Sequence, residues 1–307
     1  MNGLQLIATG GALPGRTVTN EELSRTVDTS DEWITTRTGI RARHWCTEEE
    51  SAATLAIAAA KQALERSGLS PQDIACCVCA TLSAPDATPS VACQVQRALS
   101  LPENRPALDV NAACSGFLYG TAVARGLLAT LGGQYALVIG TEALSRLMDP
   151  ADRSTCVLFG DGAGAVLLEA TEEEGVGFQD SLLLTDGKGL PFLHMKAGGS
   201  VCPPSHFTVD NRLHYVYQEG RTVFKYAVAN MSDSCEAIIA RNHLTKEDID
   251  WVIPHQANQR IITAVAQRLE VPSEKVMVNI ERYGNTSAGT LPLCIWDFEK
   301  KLKKGDN

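Results

Sequence analysis

One structural unit recurs in the second half of the chain, and this duplication restricts the possible folds more than any other sequence feature. A helical pattern, the segment LSPQDI at 69–74 and an apolar strand follow one another in the first half. LTKEDI at 244–249 repeats that order 175 residues later (244 minus 69). Short apolar runs alternate with helical patterns, which is typical of layered α/β folds. The sequence therefore predicts two α/β halves, 1–170 and 171–307.

The elements that follow this unit also come in matching order. In the first half we expect helices over 53–66 and 116–131 and strands over 74–80 and 135–140. In the second half we expect strands over 251–253 and 275–280, a loop over 283–289 and a helix over 290–302. By this symmetry at least one further strand should follow, so we expect the 307-residue chain to lack C-terminal strands. A naturally shorter second half is the alternative.

Charge and composition exclude several classes of protein. The 36 acidic and 27 basic side chains give a net charge of −9, and no Lys/Arg cluster offsets it, so we expect no nucleic-acid partner. No apolar stretch reaches the roughly 18 uncharged residues of a membrane span, and the N-terminus lacks a basic targeting segment. Ten cysteines spread over a chain of this length favour a reducing compartment. We expect a cytoplasmic protein.

Three of the cysteines, Cys76, Cys77 and Cys79, lie in one predicted strand. Successive side chains of a strand point to opposite faces, so the three cannot converge on one metal ion. We interpret them as buried packing residues and predict no metal site.

Cys114 is the best candidate for a nucleophile. It lies in NAACSGF at 111–117, between an apolar strand and a helical pattern, among small residues that allow a carbonyl group to approach. The N-terminus of a helix favours a thiolate, so we expect the pKa of Cys114 to be lowered. His255 follows Pro254 at the end of the repeated strand, and Asn285 lies in the glycine-flanked loop 283–289. The duplication puts all three at the same end of the sheet, where ligands bind in open α/β folds.

Five segments together resemble β-ketoacyl-[acyl carrier protein] synthase III, the initiating condensing enzyme of bacterial type II fatty acid synthesis. They are NAACSGF, PHQAN at 254–258, GNTS at 284–287, DTSDEW at 28–33 continuing to TRTGI at 36–40, and FGDGAG at 159–164. The resemblance covers nearly the whole chain. It implies a thiolase-like, duplicated α-β-α-β-α fold and a homodimer.

The resemblance also implies a reaction. Cys114 would accept an acyl group from an acyl-CoA primer, and CoA would leave before malonyl-[acyl carrier protein] enters. His255 and Asn285 would stabilise the enolate formed as CO2 departs, giving 3-oxoacyl-[acyl carrier protein]. CoA takes part only as a substrate thioester, and no tightly bound cofactor is implied.

The resemblance assigns further residues to binding. Trp33 would stack on the CoA adenine with Arg153 on its other side. The remaining positions are Arg37, Asn258 and Gly220 for CoA, Thr88 and Phe224 for the acyl pocket, and Gln256, Ala257, Asn258, Gln259, Arg260, Lys225 and Arg268 for carrier-protein docking.

Three departures from the family pattern have consequences. The family's glycine-rich C-terminal segment, whose amide is the second oxyanion donor, has no match here, so we expect low condensing activity of the 307-residue chain. Thr88 stands where several members have a Phe that closes the acyl pocket, so we expect primers longer than acetyl to be accepted. Arg221 replaces the Asn common beside Gly220, which leaves that CoA contact open.

Other functions share part of this pattern. Thiolases and hydroxymethylglutaryl-CoA synthases share the implied fold and the cysteine, but they need a second cysteine or a glutamate as base, and Asn285 fits the decarboxylating arrangement better. A condensing enzyme of secondary metabolism would keep the triad and change only the pocket. A non-catalytic acyl-CoA or carrier-protein binding module would bind CoA without acyl transfer to Cys114.

Overall fold

A computed structural model describes residues 3–173 and 175–307. Its strands are β1 Gly3–Ala12, β2 Arg16–Thr19, β3 Ala42–Trp45, β4 Ile74–Ala80, β5 Ala107–Val110, β6 Tyr135–Glu142, β7 Gly162–Thr171, β8 Leu193–His194 and β9 Tyr217–Gln218. Its α-helices are α1 Asn20–Leu23, α2 Asp31–Thr38, α3 Ala52–Ser67, α4 Val91–Leu99, α5 Gly116–Leu131, α6 His206–Asp210, α7 Gly220–Arg241, α8 Gln259–Arg268, α9 Ile280–Tyr283 and α10 Thr290–Phe298.

The main sheet has five strands in the order β1-β7-β6-β4-β5. The central strand β4 runs parallel to both β5 and β6, whereas β7 is antiparallel to β6 and to β1. All seven residues of β4 are buried, which requires cover on both faces of the sheet. Helix α3 packs on one face and helix α5 on the other, each in its own apolar cluster. The sheet is therefore sandwiched between helices.

Helices α3 and α5 confirm the predicted segments 53–66 and 116–131. Ser51 caps the N-terminus of α3: its hydroxyl accepts the Thr54 N–H, while the Thr54 hydroxyl accepts the Ser51 N–H. The helix ends at Gly68, whose φ of 72° a residue without Cβ adopts at little cost. Strands β4 and β6 confirm the predictions from Ile74 and from Tyr135.

The predicted strand 275–280 is wrong. Its segment pairs with 251–253 through one parallel bridge, Val252 to Val276. After this bridge, the Gln256 side chain forms hydrogen bonds with backbone groups that would otherwise pair with a neighbouring strand. It donates to the Met277 carbonyl and accepts from the N–H groups of Asn279 and Ile280. The chain then turns into α9 instead of continuing as a strand.

Strands β1 and β4 to β7, which form the main sheet, all lie between residues 3 and 171, and α7 and α8 of the second half pack on each other around Ile261, Val265 and Leu269. The boundary between 1–170 and 171–307 stays a prediction.

Within the described residues, no helix is long and apolar enough to cross a membrane. The same residues contain no group of His, Cys, Asp and Glu side chains suited to a metal ion. Cys76 packs on one face of β4, and Cys77 and Cys79 on the other.

Candidate active site

Cys114 occupies a single 3-10 turn, Ala113–Ser115, that joins β5 to α5; we call it the cysteine turn. Ala113 has a φ of 45°, a left-handed conformation that is unusual for a residue with a side chain. The next residue, Gly116, begins α5 close to the end of β4, where a Cβ would lie 2.9 Å from the Ala80 Cβ. The local fold therefore places Cys114 at the N-terminus of α5, as expected.

A second 3-10 turn, Ser287–Gly289, contacts the cysteine turn and leads into α10 in the same way. We call it the serine turn. Its first residue, Ser287, has a φ of 47°. The serine turn also lies directly against β6, because Gly140 has no side chain where the Ala288 carbonyl group approaches. The two turns are thus fixed against the carboxyl ends of β4 and β6.

Asn285 is held in front of the serine turn. Its backbone forms a parallel bridge with Phe159, accepts the Gly160 N–H at 3.0 Å and donates to the Leu158 carbonyl at 2.9 Å. Its Oδ1 accepts the Ser287 N–H at 2.9 Å. Because the oxygen of the amide is occupied, the Nδ2 group is the free donor. Asn285 can therefore present N–H groups to a negatively charged oxygen.

The pKa of the Cys114 thiol is raised, contrary to the sequence prediction. Burial is the largest cause, because it disfavours the thiolate. The Ser287 side chain and the Cys114 backbone N–H act in the opposite direction but do not outweigh burial. The helix terminus was visible in the sequence, whereas the degree of burial depends on tertiary packing.

His255 follows Ile253, which packs against the apolar cluster that contains Phe117 and Leu291. Burial lowers the pKa of the His255 imidazole to about 4, so the ring is neutral at physiological pH. Its Nδ1 is buried without a hydrogen-bond partner among the described residues. An unpaired ring nitrogen is less costly as a lone pair than as an N–H, which favours the tautomer with the proton on Nε2.

Glu142 is a buried carboxyl group near the sulfur that the sequence analysis did not identify. It ends β6, is fully buried, and accepts hydrogen bonds from Ser83 Oγ at 2.5 Å and from the Leu82 N–H at 3.3 Å. Burial raises its pKa to about 8, and the nearby Cys114 adds to that shift. The sequence signal that could have identified Glu142 is an acidic residue at the end of an apolar strand.

Trp33 forms a platform with two arginines. The guanidinium of Arg153 lies 5.4 Å from the Trp33 ring centroid and that of Arg37 lies 5.5 Å from it. Arg153 also donates to the Asp28 carbonyl at 2.7 Å. The ring is half-buried and both arginines are exposed, which leaves a cationic aromatic surface suited to a nucleotide. Trp33, Arg37 and Arg153 are brought together as the resemblance implied.

The segment after His255 has a structural role that its sequence did not reveal. Gln256 is 1% exposed and its side chain bonds only to backbone groups, so it cannot contact a docking protein as predicted. Asn258 caps α8 by accepting the Arg260 N–H, and its Nδ2 donates to the Arg37 carbonyl. Asn258 therefore links α8 to the Trp33 platform.

The structure also locates the remaining predicted site residues. Arg260 is exposed and lies 5.5 Å from the ring centroid of Phe224, which packs between α7 and α8. Arg268 is paired with Asp233 and Glu236, which partly neutralise its charge. Thr88, Gly220 and Lys225 are exposed, and Ala257 and Gln259 are half-buried.

Comparisons with known proteins identify the family. Residues 108–187 match the family model described as 3-oxoacyl-[acyl-carrier-protein] synthase III, and residues 239–307 match the model of its C-terminal part. A beta-ketoacyl-[acyl-carrier-protein] synthase III of Bacteroides thetaiotaomicron is 62% identical, over 97% of this chain and 89% of the relative. These matches include Cys114, His255 and Asn285.

Solved structures show the same fold. The chain is similar to the 3-oxoacyl-[acyl-carrier-protein] synthase III of Aquifex aeolicus, with 41% identity, a TM-score of 0.88 and coverage of 99% of this chain and 94% of that one. It is also similar to the priming β-ketosynthase of the R1128 polyketide pathway, with 32% identity, a TM-score of 0.87 and coverage of 97% and 87%. The predicted thiolase-like α/β fold is confirmed.

Proposed function

The chain belongs to the 3-oxoacyl-[acyl-carrier-protein] synthase III family of condensing enzymes of fatty acid synthesis, and from this premise we propose that it joins an acyl-CoA primer to malonyl-[acyl carrier protein]. The products are 3-oxoacyl-[acyl carrier protein], CO2 and CoA. The contact between the cysteine turn and the serine turn carries the proposal, because Asn285, whose Oδ1 accepts the Ser287 N–H, is bonded to the turn that touches the turn of Cys114.

In the first half-reaction the Cys114 sulfur attacks the thioester carbonyl carbon of acyl-CoA. The new S–C bond forms as the bond to the CoA sulfur breaks, so CoA leaves as a thiolate that takes up a proton. The proton of Cys114 is released, and the raised pKa of this thiol makes its removal part of the barrier. The Trp33 platform holds the nucleotide end of CoA during this step.

In the second half-reaction malonyl-[acyl carrier protein] loses CO2, and the electron pair of the broken C–C bond forms a thioester enolate. Nε2–H of the neutral His255 and Nδ2–H of Asn285 donate hydrogen bonds to the enolate oxygen. The enolate carbon then attacks the acyl group on Cys114, and the cysteine thiolate leaves. A donor of this type contributes about 2.7 to 4 kcal/mol to the stability of the transition state.

The surface around the site supports the proposed partners. Arg260 supplies an exposed positive charge beside the Asn258 cap, which suits an acidic carrier protein in spite of the net charge of −9. Lys225 adds a second exposed cation on α7. The loop around Thr88 is exposed, and a small side chain there leaves room for primers longer than acetyl.

Homodimer formation is also part of the proposal. β5 is the last strand of the sheet order, so one edge of β5 is open to pairing with a second copy. Sedimentation of the purified protein tests this point. The cytoplasmic location stays a prediction.

Intact-protein mass spectrometry after mixing with a series of acyl-CoAs tests the proposal. We expect an added acyl mass on the wild type and none on Cys114→Ala, with the loaded fractions ranking the primers. An equal acyl mass on Cys114→Ala would contradict it. CoA binding without any acyl transfer would instead indicate the non-catalytic binding module.

The similarity to the R1128 priming β-ketosynthase favours one second candidate, a condensing enzyme of polyketide synthesis. It would use the same residues with a different primer or carrier protein. Condensation assays with carrier proteins of the two pathways distinguish them, because the preferred partner should give the higher kcat/KM.

A further inference from the structure

Beyond the triad, the serine turn contributes a side chain to the environment of the Cys114 sulfur. The cysteine turn and the serine turn have the same backbone path: Ala113 and Ser287 have φ values of 45° and 47°, and each turn closes with one N–H bonded back to that residue's carbonyl group. The turns differ in side chains. Where the first half has Ala113, the second has a hydroxyl group.

The Ser287 hydroxyl has no other polar interaction to satisfy. Ser287 is 2% exposed, and its Oγ is buried with no hydrogen-bond partner, sulfur included, among the described residues. A buried hydroxyl without a partner costs free energy and needs an explanation. The serine turn contacts the cysteine turn, so the Cys114 sulfur is the group that this hydroxyl can stabilise, and the Ser287 side chain acts to lower the pKa of that thiol.

The backbone of Ser287 is fixed independently of its hydroxyl group. Its N–H donates to Asn285 Oδ1 at 2.9 Å, and its carbonyl accepts the Thr290 N–H. Holding a residue with a side chain at positive φ costs about 1 to 3 kcal/mol, and such strain concentrates at active sites. The turn therefore holds the hydroxyl in place before the substrate arrives.

Two other ionisable groups belong to the proposed site. Glu142 on β6 is uncharged at neutral pH because burial raises its pKa to about 8, and the His255 imidazole is neutral because burial lowers its pKa to about 4. Neither supplies a positive charge to a thiolate at pH 7. Neutral donors must stabilise that anion, and Ser287 Oγ and the Cys114 backbone N–H are the ones acting on it.

We infer that Ser287 is a further catalytic residue, whose hydroxyl group donates a hydrogen bond to the Cys114 sulfur as the thiolate forms. Hydrogen bonds in active sites are often loose in the free enzyme and tighten in the reaction. The bond assists both steps in which sulfur carries negative charge: attack on acyl-CoA and departure of Cys114 from the new C–C bond. This role rests on the function proposed above.

The pH dependence of Cys114 alkylation tests the inference without any substrate. Iodoacetamide reacts with the thiolate, and peptide mass spectrometry follows Cys114 separately from the other nine cysteines. We compare the 307-residue wild type with Ser287→Ala and Ser287→Gly. Both lack the hydroxyl group, but Gly removes the strain at positive φ whereas Ala keeps it. Ser115→Ala is the matched control, because Ser115 is adjacent to Cys114, exposed, and makes no capping bond.

We expect both Ser287 variants to shift the alkylation profile upward by about one pH unit, which is about tenfold slower alkylation at a fixed pH below the thiol pKa. The Ser115→Ala profile should coincide with that of the wild type. Profiles of Ser287→Ala and Ser287→Gly that coincide with the wild type would overturn the inference. A shift in Ala but not in Gly would also overturn it, because it would trace the effect to backbone strain.

Failure of this inference is distinguishable from failure of the proposed function. Acyl-CoA loading of the wild type reports on the function, whereas the alkylation profiles report on the hydrogen bond alone. Wild-type loading with unshifted profiles would reject only the role of Ser287. Shifted profiles without loading would reject only the condensing reaction.

Discussion

Ala113 and Ser287 adopt nearly the same left-handed backbone conformation, with φ of 45° and 47°, in two turns that contact each other. They lie 174 residues apart (287 minus 113), close to the 175-residue offset of the LSPQDI and LTKEDI segments. The duplication has therefore placed two copies of one strained turn face to face. One copy carries Cys114 and the other follows Asn285.

We predict that Ala113→Val destabilises the protein and slows acyl loading. A β-branched side chain tolerates positive φ poorly, so the free energy of unfolding should fall by about 1 to 3 kcal/mol. The sulfur of the adjacent Cys114 should move, and misplacement by about 1 Å can reduce a rate about a hundredfold. Urea unfolding and the rate of acyl-enzyme formation measure the two effects.

Two variants serve as controls for this change. Ala113→Gly accepts the positive φ and should load acyl groups at close to the wild-type rate. Ala112→Val makes the same substitution at a φ of −132° and should be much milder. Equal losses in Ala112→Val and Ala113→Val would show that side-chain size, and not backbone conformation, is responsible.

We predict that Glu142→Gln changes how stability depends on pH. The folded-state pKa of Glu142, about 8, lies above the value of an exposed carboxyl group. Between about pH 4.5 and pH 8 the unfolded chain ionises this group and the folded chain does not, so stability falls as pH rises by about 1.4 kcal/mol per pH unit. The Gln variant lacks this contribution, and urea unfolding at several pH values should give it a flatter curve of stability against pH.

Glu65→Gln, at an exposed position of α3, is the control and should keep the wild-type slope. Parallel curves for the wild type and Glu142→Gln would contradict the prediction.

Local patterns predicted those parts of the molecule that depend on neighbours in sequence. Apolar periodicity and a C-terminal Gly68 were sufficient for α3, and the strand–turn–helix pattern around Cys114 was sufficient for α5. The strand expected over 275–280 failed because the side chain of Gln256, about 20 residues earlier, binds its backbone. No local signal indicates that competition.

The residues of the candidate site also divide into those that the local sequence indicates and those that it does not. Glycine-rich and small-residue loops indicated the turns that hold Cys114 and Asn285, because such residues determine the local backbone. Ser287 and Glu142 were missed because they are buried near a sulfur that is distant in sequence. The direction of the Cys114 pKa shift was wrong for the same reason.

We predict that Arg153→Ala raises the KM for acyl-CoA about five- to tenfold with little change in kcat. The variant loses a cation–π partner of Trp33 and a positive charge for the CoA phosphates. Arg16→Ala is the matched control, because Arg16 stacks on Trp45 at the same 5.4 Å. Initial rates at varied acyl-CoA measure both variants. A similar rise in KM for Arg16→Ala would assign the effect to general loss of charge.

We predict that Arg260→Glu weakens carrier-protein docking and leaves the chemistry intact. The KM for malonyl-[acyl carrier protein] should rise about tenfold at low salt, and the difference from the wild type should shrink as ionic strength increases. Malonyl-CoA, which lacks the carrier protein, provides the internal control and should be used equally well by both proteins. Equal impairment with both malonyl donors would mean that Arg260 acts on the site itself.

The last prediction concerns the protonation state of His255. Because burial lowers its pKa to about 4, the imidazole stays neutral as pH falls from about 7 to about 5, and decarboxylation by the acylated enzyme should change less than twofold over that range. The unfolded chain protonates this ring near pH 6.5, so His255 also makes stability fall as pH decreases from about 6.5 toward 4. Release of labelled CO2 from malonyl-[acyl carrier protein] measures the rate.

His255→Asn keeps an N–H donor but does not titrate, so any loss of activity at acid pH that is caused by His255, an acid limb of the pH profile, should be absent from its residual activity. A wild-type limb near pH 6.5 that disappears in His255→Asn would show that the ring is solvated and protonated in the working enzyme, and that its burial does not hold it neutral.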